Sequence, residues 1–150
     1  MKASYFIGLM ISIILFSCDP NEKQHRKIEG AWSLVNYQSI AKDSVIVGRY
    51  IGKDVIGSQI KVWSDDHFVF VGRFKVGSKE ADNFGGGTYT LEGSQYIETI
   101  LYHINKQWIG TKPKMHVEIK GDTLYQTWPV NDLWQIDKSN YTIEKYVRLK

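Results

Sequence analysis

The chain has one cysteine, three prolines and four scattered histidines in its 150 residues. A lone cysteine, Cys18, rules out an intramolecular disulfide. No apolar run is long enough for a spanning helix, which needs about 20 residues; the longest, Tyr5 to Phe16, falls short. Charge of one sign is also scarce. The net charge is +3, one less once Lys2 is removed, and no basic cluster forms a nucleic-acid footprint. Catalytic signatures are missing too: there is no nucleophile elbow, no H-E-x-x-H and no Ser-His-Asp spacing. Gly85-Gly86-Gly87 is no phosphate loop, because no Gly-Lys-Ser/Thr follows and it enters a strand. Missing side chains there suit a sharp bend, a bulge, or backbone lying close to another strand. The chain is read as a non-enzyme, with no catalytic residue and no cofactor.

What is present begins at the N-terminus. Lys2 supplies a positive start, Tyr5 to Phe16 an apolar core, and Ser17 a small residue before Cys18. That is the anatomy of an export signal. Leu15-Phe16-Ser17-Cys18 resembles the lipobox of bacterial lipoproteins, with a bulkier Phe16 than usual. The resemblance implies cleavage before Cys18, a diacylglyceryl group on its thiol and acylation of the new amine. Each buried methylene contributes about 0.8 kcal/mol, and stable anchoring takes more than one chain. Residues 1–17 are therefore expected to be a signal peptide and 18–28 a lipid-anchored polar tether. The location expected is the bacterial cell envelope, with the outer membrane favoured over the inner.

Residues 29–150 form one domain, large enough for a core of its own. Nine Tyr, six Phe and five Trp, with glycines scattered between short apolar runs, suit strands better than helices. About eight strands can be read. They are Ala31 to Ile40, Gln59 to Trp63, His67 to Phe74, Gly87 to Leu91, Gln95 to Ile104, Met115 to Lys120, Thr123 to Trp128 and Tyr141 to Leu149. Ser64-Asp65-Asp66, Glu92-Gly93-Ser94 and Gly121-Asp122 are turn clusters between them. Hairpins in sequence order predict an all-β, antiparallel up-and-down barrel, since closure removes exposed edges. Ala41 to Ser58, Lys75 to Gly86, Asn105 to Lys114 and Pro129 to Asn140 read as longer loops, the first with a short helix or lid around Val45 to Val55. A weak repeat with an offset of 28 aligns Gly93 to Ile100 with Gly121 to Trp128. It puts Glu98 and Gln126 on the same side of their strands.

Gly30-Ala31-Trp32 and Arg148 resemble the G-x-W and closing arginine of lipocalins and related calycins. Gly57 to Phe68, Gly85 to Gly93 with Tyr96 and Glu98-Thr99-Ile100, and Glu144 to Arg148 are similar to blocks of lipocalin-like domains in uncharacterised bacterial lipoproteins. The resemblance covers roughly Glu29 to Lys150 and departs most at Pro129 to Asn140. It implies a lipocalin-like barrel with a cup for a small, mostly apolar molecule, closed by Trp32 and Arg148.

Alternation places Tyr96, Glu98, Ile100 and Tyr102 on one face, with Tyr89 paired to Tyr96. The repeat adds Leu124, Gln126 and Trp128. Large rings with single polar groups are the chemistry of a ligand cavity, so the candidate ligand-binding residues are Tyr89, Tyr96, Glu98, Tyr102, Gln126 and Trp128. A filled polar core and a solvent face stay open as alternatives. His103, His116 and Glu118 are a weak zinc set, and no metal is expected. The leading expectation is a monomeric carrier of a small hydrophobic or amphipathic molecule, attached to a membrane through lipid on Cys18, with no nucleic-acid partner. Carriage predicts a cavity of several hundred Å3 lined by this face. The alternative is a packed barrel that binds an envelope protein or glycan through its loops, where Trp108 and Trp134 lie. Replacement Cys18→Ser is expected to release the protein from membranes with its fold intact. Fractionation and circular dichroism check this, and a purified variant that fails to fold overturns it.

Overall fold

In the computed structural model, residues 27–42, 44–49, 57–76 and 79–150 are described. Cys18, the signal segment 1–17, most of the tether and part of the expected lid lie outside the described residues. Nine strands follow in order: β1 (Gly30–Ala41), β2 (Ser44–Arg49), β3 (Gly57–Ser64), β4 (His67–Val76), β5 (Lys79–Glu92), β6 (Gln95–His103), β7 (Lys114–Lys120), β8 (Thr123–Trp128) and β9 (Asn140–Arg148). A single 3-10 turn, Lys106–Trp108, interrupts the β6–β7 connection.

Strands β3 to β9 pair with their sequence neighbours, all antiparallel, and β1 pairs with both β3 and β9. Eight strands thus close an up-and-down barrel, consistent with the lipocalin-like barrel expected. The ninth, β2, lies on the C-terminal half of β1, from Asn36↔Arg49 to Ala41↔Ser44. This corrects the helix or lid expected around Val45: Val45-Ile46-Val47 is β-branched, and its residues pair with Ile40, Ser39 and Gln38. The loop expected over Lys75 to Gly86 is also mostly strand. It forms the arms of the long β4–β5 hairpin, paired from His67↔Thr88 out to Val76↔Lys79.

The two ends of the barrel differ. The β3–β4, β5–β6 and β7–β8 turns are short and sit at one end; the longer connections gather at the other. The short-turn end is sealed by the chain entering the barrel. Lys27 and Ile28 are helical and Ile28 is fully buried, so the fold begins within what was read as tether. The Trp32 indole N–H donates to Ile28 O at 2.8 Å. Arg148 lies opposite Trp32 in the β1–β9 register, its guanidinium 4.1 Å from the indole ring. It donates to Glu29 O at 2.6 Å and to Lys27 O. Above this seal pack Trp63, Phe68, Tyr89, Leu91, Tyr96 and Leu124.

A bulge decides which side chains face inward. Gly87 pairs with Ile100 but Gly86 pairs with Tyr102, so Leu101 is an extra residue on β6. A Cβ on Gly87 would lie 1.9 Å from Thr99 O, which is why that position carries none. The extra residue reverses the alternation of β6 beyond Ile100. Tyr102, expected on the inner face, therefore points outward and is 71% exposed, and His103 turns inward instead.

Arg148→Lys should lower the unfolding free energy by about 2 kcal/mol, because an ammonium cannot cap two carbonyls and stack on the indole at once. Urea denaturation is the check. An unchanged midpoint means that strand pairing alone closes the barrel.

Candidate functional site

Strand β3 carries a polar inner face. Gln59, Lys61 and Trp63 alternate inward and are buried, while Ile60 between them faces out. Lys61 reaches the middle of the barrel. Its ammonium donates to Glu98 Oε1 at 2.5 Å and Gln126 Oε1 at 3.2 Å, from β6 and β8. The Lys61 and Glu98 side chains are only 5% and 4% exposed. Rings surround the ammonium: Trp63 and Phe68 at 5.0 Å, Tyr96 at 5.8 Å and Phe70 at 5.9 Å to their centroids. The Trp63 indole N–H donates to Tyr96 Oη at 2.8 Å, and that hydroxyl donates to Glu98 Oε1 at 3.0 Å. A desolvated ion pair is costly unless its remaining donors and acceptors are matched, and here neighbouring strands match them.

This layer is the floor of a cavity of about 230 Å3 that opens toward the long loops. Phe70, Ile100, Trp108, Met115 and Trp128 form much of its wall. A second chain of polar groups runs up one side. Asn83 donates to Gln59 Oε1 at 2.9 Å, Gln59 to Tyr146 Oη at 2.9 Å, and Tyr146 to Glu144 Oε2 at 2.8 Å. Burial pushes the Glu144 carboxyl up from its ordinary value; Lys61 and the Tyr146 and Trp128 hydrogen bonds oppose this, while Glu98 adds to it. Burial also drives the Tyr146 and Tyr96 hydroxyls well above the usual phenol range, helped by Glu144 and Glu98 respectively. At the rim, His103 stacks on Trp108 with ring centroids 5.9 Å apart.

The expected site residues separate into five positions. Glu98 and Trp128 line the cavity. Gln126 lies beneath it, fully buried, as the second acceptor for Lys61. Tyr96 belongs to the floor. Tyr89 is deep in the sealed end, its hydroxyl pushed up to about 12 by burial, with the Glu29, Asp66 and Asp65 charges adding to the shift. Tyr102 is outside. The Tyr89–Tyr96 pairing is corrected as well: Tyr89 pairs with Glu98 and Leu91 with Tyr96, because the turn is Gly93-Ser94. The shift is two residues, so the face is unchanged. Cavity and filled core thus both hold for this face, at opposite ends of the barrel.

The inner face was incomplete without Lys61, Gln59, Glu144 and Tyr146. The signal was present, since Gln59-x-Lys61-x-Trp63 puts a lysine in the same alternating series as a core tryptophan. The possible zinc ligands do not converge. His116 faces Ser94 Oγ at 3.2 Å and Trp134 O at 2.8 Å, and Glu118 pairs with Lys120. Among the described residues no three His, Cys, Asp or Glu side chains gather as a metal site. No protein-family model matches the chain, and no curated protein matches it.

Lys61→Met should cost about 3–5 kcal/mol by stranding Glu98 in the core. Lys61→Met with Glu98→Gln should recover most of that loss. Denaturant midpoints of the single and double variants test it, and additive losses would show that the two groups do not depend on each other.

Proposed function

We propose that the protein is a lipid-anchored component of the bacterial cell envelope, moored through Cys18, whose barrel binds a small hydrophobic or amphipathic molecule. The observation that carries this reading is the cavity: an apolar and aromatic wall over a floor of matched polar groups. A closed antiparallel barrel is consistent with a ligand-binding barrel, and the resemblance to lipocalin-like domains points the same way. The cavity is smaller than the sequence-based expectation. About 230 Å3 lies below the roughly 300–1,000 Å3 of drug-sized ligand sites. The ligand is therefore small, or has a tail that leaves through the open end. The polar floor orients one end of it, and the reading involves no reaction, no nucleic acid and no second copy of the chain.

One observation favours a second reading, an interaction module. Ile60, Val69, Val71, Phe84 and Leu101 are exposed on the outer face of β3 to β6, beside Tyr102. Adjacent exposed apolar side chains of this kind mark contact surfaces. The loop tryptophans first considered for this role are otherwise engaged, Trp108 with His103 and Trp134 with His116.

Native mass spectrometry of protein extracted from its own envelope is expected to show a co-purifying small molecule, and Trp128→Ala to lower its occupancy. Repeated recovery of empty wild-type protein overturns carriage. Loss of a crosslinked envelope partner in Val71→Lys, with the barrel empty, supports the second reading.

A further inference from the structure

The charge of the cavity is unbalanced. It holds one lysine and two glutamates. Lys61 is committed to Glu98 at 2.5 Å and to Gln126 at 3.2 Å, so its charge is neutralised inside the floor. Glu144 is bonded by neutral donors, the Tyr146 hydroxyl at 2.8 Å and the Trp128 indole, and feels Lys61 only at longer range. It is the surplus acid of the site, since the one ammonium is bonded to Glu98, and a partly buried carboxylate without a partner of its own is costly. Trp128 and Tyr146 meet it through hydrogen bonds, and Phe70 and Trp108 are elsewhere on the wall. A carboxyl group in an aromatic-lined cavity is complementary to an ammonium ion, which pairs with the acid and gains from nearby rings. An anionic ligand would meet two acids and a lysine that is already paired.

We propose that the cavity is selective for small organic amines, binding the ammonium group at Glu144 and the apolar body against Phe70, Ile100, Trp108 and Met115. This rests on the binding reading above and names its ligand class. On binding, Glu144 gives up to solvent whatever proton its carboxyl carries, and the carboxylate pairs with the incoming ammonium. No covalent bond forms. Burial raises the Glu144 pKa, against the opposing pull of Lys61 and of the Tyr146 and Trp128 hydrogen bonds. Amine affinity should therefore rise with pH through that raised value, and fall only where the amine itself loses its proton. The other charged or titratable groups near Glu144 are Lys61 on β3, Glu98 and His103 on β6, Tyr146 on β9 and Tyr37, its register partner on β1. The β8 neighbours, Gln126 and Trp128, do not titrate.

The test is calorimetry on the full chain in detergent with three probes of equal length: hexylamine, hexan-1-ol and hexanoate. Hexylamine is expected to bind about tenfold tighter than either of the others. Its affinity should rise with pH through the Glu144 titration, with proton release revealed by buffers of different ionisation enthalpy. In Glu144→Gln, with circular dichroism confirming the fold, the amine-to-alcohol ratio should fall to about one. Hexanoate binding as tightly as hexylamine, or an amine preference that survives Glu144→Gln, overturns the proposal. His103→Gln is the control at the rim: an amine preference that persists belongs to Glu144, and one that vanishes overturns the proposal. Hexanol binding without amine preference sinks the ligand class alone, while failure of all three probes sinks the cavity reading with it.

Discussion

The Lys61 ammonium lies inside the barrel, 2.5 Å from the Glu98 carboxylate, and both side chains are almost wholly withdrawn from water. Much of the interior follows from that constraint. An isolated charge at this depth would be prohibitive, so strands β3 and β6 must hold a register that brings the two groups together. Gln126 and Tyr96 then have fixed orientations, because each completes the bonding of the pair. Trp63 is fixed in turn by its bond to Tyr96. Three strands, β3, β6 and β8, are tied to one polar point at mid-height. Below it the barrel is packed with rings and aliphatic side chains; above it the bonded layer blocks the same collapse, and a cavity remains.

Closure of the short-turn end works by a different kind of contact. The guanidinium of Arg148 covers the Trp32 indole and takes up carbonyls of the entering chain, which would otherwise be left without donors as the chain crosses the end of the barrel. Ile28 then fills the centre of the seal. This closure involves no group of the polar floor. The sealed end supplies rigidity, and the polar floor can face a ligand without also holding the barrel shut.

Much of this was legible in the sequence, and the exceptions have identifiable causes. Alternation and turn chemistry located the eight barrel strands, and the repeat equated Glu98 with Gln126, which do converge on one atom, Lys61 Nζ. Trp32 and Arg148 were legible through the resemblance of Gly30-Ala31-Trp32 and Arg148 to the lipocalin G-x-W and closing arginine. Tyr102 was misplaced because alternation assumes an unbroken strand, and the extra Leu101 reverses it; the cue was the triple glycine on the facing strand. Strand β2 was hidden because it shares β1 with β3 rather than adding a wall, so the barrel is complete without it. Lys61 was passed over because lysine between apolar residues ordinarily marks the solvent side. On β3 that rule is inverted, with Ile60 outside and Lys61 inside, since the counter-charge comes from a residue 37 positions away.

The cavity itself has an energetic logic. An empty apolar void of this size, about 230 Å3, would cost on the order of 5 kcal/mol at roughly 24 cal/mol per Å3. The barrel does not bear that cost, because its open end admits water and Glu144, Gln59 and Asn83 offer water partners. Water against Phe70, Ile100 and Trp128 has few bonds to lose, so an apolar body gains by displacing it. Glu144 is different, since only a ligand that brings its own donor can replace water there. The wall therefore rewards almost any small apolar body, and discrimination falls to the few polar atoms at the floor and side. Affinity and specificity are divided between two sets of residues, and that division follows from a polar floor placed at mid-height in an aromatic barrel.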